Sequence, residues 1–248
     1  MATTVRIPGK YGVDAPWVPW LWYGLGVLFL AAGIINLFDG FNLWYVVSII
    51  YFLGGGAVWI VGGSLYLNST FRGKFQVWSE VLDRAALTGG ESALDIGCGR
   101  GAVTVALALR LPQGHVTGID LWRNVDQSGN STAATESNLK LNGVESRVTL
   151  ETADMTKLPF PDDTFDIATA SLSIHNVPSK DGRADAIREA IRVLKPGGKL
   201  LIVDISKVTE YKKSLDSLGI VPTADTPAGW RMWWSGPWMS TRILTAQR

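Results

Sequence analysis

The sequence predicts an α/β domain built on a mostly parallel sheet and preceded by a transmembrane helical hairpin. Two observations carry that expectation. Charge is nearly absent from residues 15–71, where Asp39 is the only Asp, Glu, Lys or Arg. Beyond residue 75, short runs rich in apolar residues alternate with stretches of helical period, the pattern of strands crossing over through helices. The composition change divides the chain into an N-terminal segment (1–16), a two-helix hairpin (17–70) and an α/β domain (71–248).

Residues 17–38 are almost wholly apolar. Roughly 22 residues of helix span about 33 Å, enough for a hydrocarbon core of about 30 Å. A polar turn at 39–42 precedes a second apolar run, 43–67, of similar length. Trp17, Trp20, Trp22, Trp44 and Tyr45 fall near the ends, where amphipathic rings favour the water interface. Gly54, Gly55, Gly56, Gly62 and Gly63 would let the two helices approach closely. Arg6, Lys10, Arg72 and Lys74 flank the outer ends, and neither Lys nor Arg occurs in the turn, so the positive-inside rule puts both ends and the α/β domain in the cytosol. The competing readings are a cleaved signal peptide over the first run, with Ala31, Ala32 and Gly33 as a small-residue cleavage site, and a pair of core helices in a soluble protein. Span length and the near-absence of charge argue against both. The tripeptide Asn68-Ser69-Thr70 fits a glycosylation acceptor but faces the cytosol in this topology.

In the α/β domain, a helix over 75–87 places Trp78, Val81, Leu82 and Ala85 at helical spacing, and the turn at 88–90 ends it. A strand (92–96), a helix (102–111), a strand (115–120), a helix (131–142) and strands at 147–152 and 165–172 follow. The helix over 183–194 carries Ile187, Ala190, Ile191 and Leu194 on one face, with Arg188, Glu189 and Arg192 outside. Lys195-Pro196-Gly197-Gly198 is expected to stop it before a strand at 199–205, and a last strand covers 240–246.

A net charge of +1 without a long basic block leaves no footprint for a nucleic-acid backbone. With one cysteine, Cys98, an internal disulfide is impossible and no paired-cysteine metal site exists. Cys98 reads as a small residue fitting a turn. No metal is expected.

Chemistry concentrates where the first two strands end. Gly97, Gly99 and Gly101 lie between a strand and a helix mouth, so main chain can turn tightly and approach a ligand with no side chain between. Asp120 closes the second strand about 20 residues on, where a carboxylate can hold both hydroxyls of a ribose. A nicotinamide-dependent oxidoreductase uses similar parts, but prefers G-x-G-x-x-G, whereas these glycines read G-x-G-x-G.

Four segments extend the pattern: residues 95–101, the strand-end Asp120, the stretch Asp154-Met155 with Leu158-Pro159-Phe160 and Phe165-Asp166, and the junction at 194–198. In order and spacing they resemble the class I S-adenosylmethionine-dependent methyltransferases, most of all the "type 11" branch of quinone, sterol and other small-molecule methyltransferases. The resemblance covers residues 75–248 and leaves out the hairpin. It implies a Rossmann-like sheet with an antiparallel last strand, and S-adenosyl-L-methionine as cofactor. It also implies that Asp95 and the Gly97, Gly99 and Gly101 backbone surround the methionine part, that Asp120 holds the ribose, and that Leu121 and Trp122 flank the adenine. Asp154 would accept from the adenine amine, Met155 would pack on the ring, and Ser171 would sit beside the transferring methyl.

The connection at 121–131 is longer and more polar than usual. It is either a cofactor lid, with Gln127 or Asn130 bonding the methionine end, or a solvated loop. His175, just past the fourth strand, is either a catalytic base or a hydrogen-bonded structural histidine. Trp230, Trp233, Trp234 and Trp238 precede the last strand in a segment whose spacing suits a hairpin closing the sheet edge. They either line an apolar acceptor site, rest against a bilayer, or pack the edge. The expected partners are a small lipophilic acceptor and the bilayer, the latter through residues 17–67. A membrane adaptor that keeps the fold without turnover is the non-enzymatic alternative.

Overall fold

The computed structural model describes residues 7–38 and 43–248. Arg6, the turn expected at 39–42 and the Trp44 side chain lie outside the described residues. Seven strands form one sheet: β1 (Ser92–Ile96), β2 (His115–Asp120), β3 (Val148–Thr152), β4 (Phe165–Ser171), β5 (Leu194–Asp204), β6 (Pro222–Pro227) and β7 (Arg242–Gln247). Their order is β3-β2-β1-β4-β5-β7-β6. β1 to β5 pair in parallel, whereas β7 runs antiparallel to both β5 and β6. This is a Rossmann-like mixed sheet, and its order reverses between β1 and β4.

Strict alternation along the central strands builds two cores. Ala93, Ile167, Leu201 and Val203 point to one face, where α3 (Lys74–Arg84), α4 (Ala102–Arg110) and Leu139 of α5 (Thr132–Leu141) cover them. Leu94, Ile96, Ala168, Ala170, Leu200 and Ile202 point to the other, under α6 (Lys180–Arg192) and α7 (Val208–Ser217). Period-2 burial on both faces is what a covered parallel sheet requires. Ser131 and Ser179 start α5 and α6 by accepting the N–H of Ala134 and Gly182.

Residues 195–198 do not serve as the helix stop expected of them. α6 has already ended at Arg192, and β5 begins at Leu194. The Pro-Gly-Gly stretch instead loops out of β5: Phe165 pairs Leu194 while Ile167 pairs Lys199. Gly197 N–H donates to Arg248 O and Arg248 N–H to Gly198 O, which pins the loop to the end of β7.

α1 (Trp17–Asn36) and α2 (Leu43–Asn68) pack against each other as a pair. Their backbones cross at Gly26 and Gly56, where a Cβ on Gly56 would lie 3.2 Å from the Gly26 carbonyl oxygen. Gly55, Gly62 and Gly63 receive the rings of Phe29, Trp22 and Tyr23, while Gly54 faces open space. Both helices are long and apolar enough to cross a membrane. Only 17% of each apolar window is buried, so neither is the core helix of the α/β domain. Trp20, Val27, Leu28, Ile35, Ile50, Tyr51, Val58 and Val61 are exposed around the pair.

α2 does not stop at the composition change. A single π-helical turn, Ser69–Gly73, carries it without a break into α3. Gly73 is required there, because a Cβ would sit 1.7 Å from the Arg231 carbonyl oxygen. Ser69 donates to the Trp233 carbonyl at 3.0 Å, Tyr66 packs edge-on to Trp234, and Arg231 forms a two-pronged ion pair with Glu80. The tryptophan-rich segment thus bolts the hairpin to the sheet.

Candidate functional site

The site lies past the carboxyl ends of β1, β2 and β4, at the reversal of strand order where open α/β sheets bind ligands. β1 delivers Asp95 and then turns at Gly97. Gly97 and Cys98 N–H both donate to Ile119 O, which folds the chain back over β2. The turn needs glycine: at φ +71° a Cβ on Gly97 would lie 2.3 Å from Ser173 Cβ. Ser173 in turn donates to Ile96 O at 2.7 Å.

Asp120, last residue of β2, accepts Gly99 N–H through Oδ2 at 2.8 Å. Its Oδ1 accepts Trp122 N–H at 2.6 Å and Asn130 Nδ2 at 3.1 Å. The carboxylate is thereby fixed between the glycine turn and the 121–131 loop. Asn130 is buried, and its own Oδ1 has no protein partner among the described residues.

One cavity gathers Asp95, Gly97, Gly99, Asp120, Leu121, Asn130, Asp154, Met155 and Ser171. Two residues expected there lie elsewhere. Trp122 adopts φ +57° and donates its indole N–H to Thr152 Oγ1, clear of the cavity. Gly101 is the left-handed cap of α4 behind the turn, packed against Thr135. The 121–131 loop is not merely solvated: Gln127 lines the cavity, accepts Arg100 N–H at 2.8 Å and donates to Asp14 Oδ1 at 3.3 Å.

Asp95 is fully enclosed, its oxygens taken by Thr104 and Thr169 hydroxyls at 2.6 and 2.8 Å. Burial pushes its pKa up to about 6 against those two bonds, and the Asp120 charge pushes the same way. Burial, with the charges of Asp95 and Asp120, also pushes the Cys98 thiol well up, which disfavours the nucleophilic thiolate. Ser171 Oγ accepts the indole N–H of Trp78 at 2.8 Å.

His175 sits just outside the cavity wall formed by Ser173 and Asn176. Its Nδ1 meets Asp204 Oδ1 at 2.5 Å, and Asp204, at the end of β5, also accepts Tyr211 Oη at 3.0 Å and Ile205 N–H. Burial by itself works against a charged imidazole. The hydrogen bond and charge of Asp204, with the charges of Asp126 and Asp14, outweigh it and raise the pKa above 6.5.

The site also includes residues that no motif marked. The N-terminal segment folds over the cavity: Val13 and Ser128 exchange main-chain and side-chain hydrogen bonds, Ala15 N–H donates to Asp126 O, and Lys10 and Asn138 pair twice. Asp14 and Lys74 line the cavity and form an ion pair at 2.8 Å. Asp14 was legible only as the last charge before the apolar run. The four tryptophans of the C-terminal segment do not reach the cavity. Trp234 is buried with its N–H on Thr241, whereas Trp230 and Trp238 are exposed beside the hairpin.

Among known proteins, residues 94–202 match the family described as "Methyltransferase domain". The chain is 35% identical over 137 residues to the ubiquinone/menaquinone biosynthesis C-methyltransferase UbiE of Vibrio campbellii, covering 54% of this chain and 49% of that one. It is 34% identical over 133 residues to the sterol 4-C-methyltransferase strm-1 of Caenorhabditis elegans, covering 54% and 36%. The chain thus spans about half or less of these two relatives. Among solved structures, the [4+2]-cyclase SpnF aligns over 98% of this chain and 99% of its own, with TM-score 0.58 and 20% identity, a likeness of fold. The similarity to methyltransferases speaks against the nicotinamide reading. So does the lining of the cavity, where Asp14, Asp95, Asp120, Asp126 and Asp154 face only Lys74 and Arg123 in charge. Such a wall suits a cationic sulfonium and repels a pyrophosphate.

Proposed function

We propose that the chain transfers a methyl group from S-adenosyl-L-methionine to a small lipophilic acceptor drawn from a membrane, with the methyltransferase domain on the cytosolic side. The observation that carries it is the acidic cavity at the ends of β1 and β2 beside the His175–Asp204 pair. Both relatives are named for carbon methylation of apolar ring compounds, a quinone and a sterol. The two apolar helices supply a reason for an acceptor of that solubility to be within reach.

When bound, S-adenosyl-L-methionine supplies an already activated methyl on a sulfonium. The work left to the chain is alignment and exclusion of water, and alignment contributes roughly 7–11 kcal/mol of barrier lowering. In this reading Asp120 holds the ribose hydroxyls, its carboxylate braced by the N–H groups of Gly99 and Trp122 and by the Asn130 amide. Leu121 and Met155 line the adenine end, where Asp154 accepts the exocyclic amine. Gly97 and Gly99 leave main chain against the methionine part. Asp95, beneath the turn, stabilises positive charge at the sulfur. Ser171, held by Trp78, marks the floor at the methyl. His175 removes the acceptor's proton: its Nδ1 is held by Asp204, which leaves Nε2 as the basic nitrogen. The proton leaving the acceptor would be held on Nε2, with the methyl that replaces it supplied by the bound donor.

The test is an incubation of the purified full chain, in vesicles made from the extracted lipids of the cells that produce it, with methyl-labelled donor. Label in the organic extract, absent with His175→Ala, is the expected result. Label that appears only in water-soluble products would sink the lipophilic assignment.

A further inference from the structure

The ion pair of Asp14 and Lys74 has no part in the function proposed above. Lys74, at the first turn of α3, is 4% exposed, yet Asp14 Oδ2 is its only hydrogen-bond acceptor among the described residues. An ammonium carries three donors, and a buried one left with a single partner is costly. Asp14 is likewise underused on the cavity side: Oδ2 meets Lys74, and Oδ1 meets only the Gln127 amide at 3.3 Å. Both residues line the cavity. The other cation on its wall, Arg123, is exposed.

Their position fixes what they could read. Gln127 joins Asp14 to Arg100 N–H, so the pair stands over the glycine turn. We propose that Asp14 and Lys74 together recognise the methionine end of the methyl donor, a zwitterion, with Lys74 taking the α-carboxylate and Asp14 the α-ammonium. Side by side, the two charges of the pair present the complement of the two charges on an amino acid. Binding then converts one protein–protein pair into a four-charge cluster in which the spare N–H groups of Lys74 find acceptors. The donor's amino-acid end is thus read by residues outside the matched domain. Asp14 lies in the segment leading into α1, and its carbonyl accepts Tyr66 Oη of α2 at 2.6 Å. Lys74 follows the π-helical turn at the end of α2. Donor recognition is in this way tied to the hairpin.

The inference rests on the donor reading above, and a pair of ligands separates the two. S-adenosylhomocysteine and 5′-methylthioadenosine share the adenosyl thioether, but only the first carries the amino-acid end. Calorimetry on the full chain in detergent should give tighter binding of S-adenosylhomocysteine by roughly tenfold to a hundredfold, the size of one or two charge-assisted hydrogen bonds. Lys74→Met and Asp14→Asn should each cut S-adenosylhomocysteine affinity about tenfold or more while moving 5′-methylthioadenosine less than about twofold. Because removing one partner leaves a lone buried charge, the exchanged double variant Asp14→Lys/Lys74→Asp keeps an ion pair and reverses only its polarity. It should bind both ligands with similar affinity. Wild-type selectivity in the exchanged variant overturns the proposal. Equal affinity of the wild type for both ligands overturns it too, and leaves the donor assignment standing. Wild-type binding of neither ligand removes the donor assignment and this inference together.

Discussion

His175 Nδ1 lies 2.5 Å from Asp204 Oδ1, across 29 residues of sequence, and the same carboxylate accepts the Tyr211 hydroxyl. The arrangement fixes the ring and makes its pKa higher than an ordinary histidine's. A base must be neutral to act, so the acid limb of the rate profile should have its midpoint above 6.5. Asp204→Asn removes the hydrogen bond to the charged ring and the charge, leaving burial to dominate, so the midpoint should fall. His175→Ala should reduce turnover by about 10²–10⁴-fold with little change in donor affinity. Rate against pH for the three proteins checks this.

The same shift affects stability with a definite sign. A histidine whose folded pKa exceeds its unfolded value contributes stability that is complete below about 6.5 and is lost as pH rises through the raised folded value. In Asp204→Asn that loss should flatten. Thermal unfolding between pH 5.5 and about 8 reads the difference.

Asp95 gives the opposite kind of handle. Its pKa of about 6 means that near pH 6 part of the population carries a proton there. A cationic donor favours the ionised form, so its binding should release protons near pH 6, while neutral-sulfur S-adenosylhomocysteine should release fewer. Binding enthalpies in buffers of different ionisation heat measure the number released. Asp95→Asn should abolish the buffer dependence.

Gly73→Ala places a Cβ where the Arg231 carbonyl stands, at the bolt between hairpin and sheet. Backbone must move there, and the expected loss is about 3 kcal/mol or more of stability. Destabilisation under about 0.5 kcal/mol, the range of a surface substitution, would show that the junction is loose.

Topology is open to a labelling test. Cys98 is buried with its thiol pKa raised, so the natural chain should react poorly with maleimides. Ser217, exposed at the end of α7, can carry the probe. Ser217→Cys should be labelled by an impermeant maleimide only after the cells are opened, and labelling of intact cells would place the domain outside.

Much of this fold is legible before any coordinates. The ends of β1 and β2 fall where the apolar runs stop, and Ser131 announces α5. What escapes has physical reasons. α7 is preceded by Lys207, a left-handed residue whose side chain makes no capping bond, so no helix-start signal is present. β6 begins and ends with proline, which argues against a strand except at a sheet edge, and β6 is the edge. In the site, residues adjacent in sequence to the glycine turn were findable. Asp204 and Asp14 were not, because only the parallel pairing of β4 with β5 brings Asp204 to His175, and only the folding back of the N-terminal segment brings Asp14 to the cavity. The position of the Trp122 ring was not legible either, because its backbone turns left-handed directly after Asp120.

In the function proposed here, the acidic cavity braced by Asp120 binds the adenosyl donor. Titration of the purified full chain with S-adenosylhomocysteine and, separately, with a nicotinamide dinucleotide decides this. The expected result is saturable binding of the first alone, weakened about tenfold or more in Asp120→Ala by loss of the ribose contact. Binding of the dinucleotide instead, or an affinity for S-adenosylhomocysteine that Asp120→Ala leaves unchanged, would contradict it.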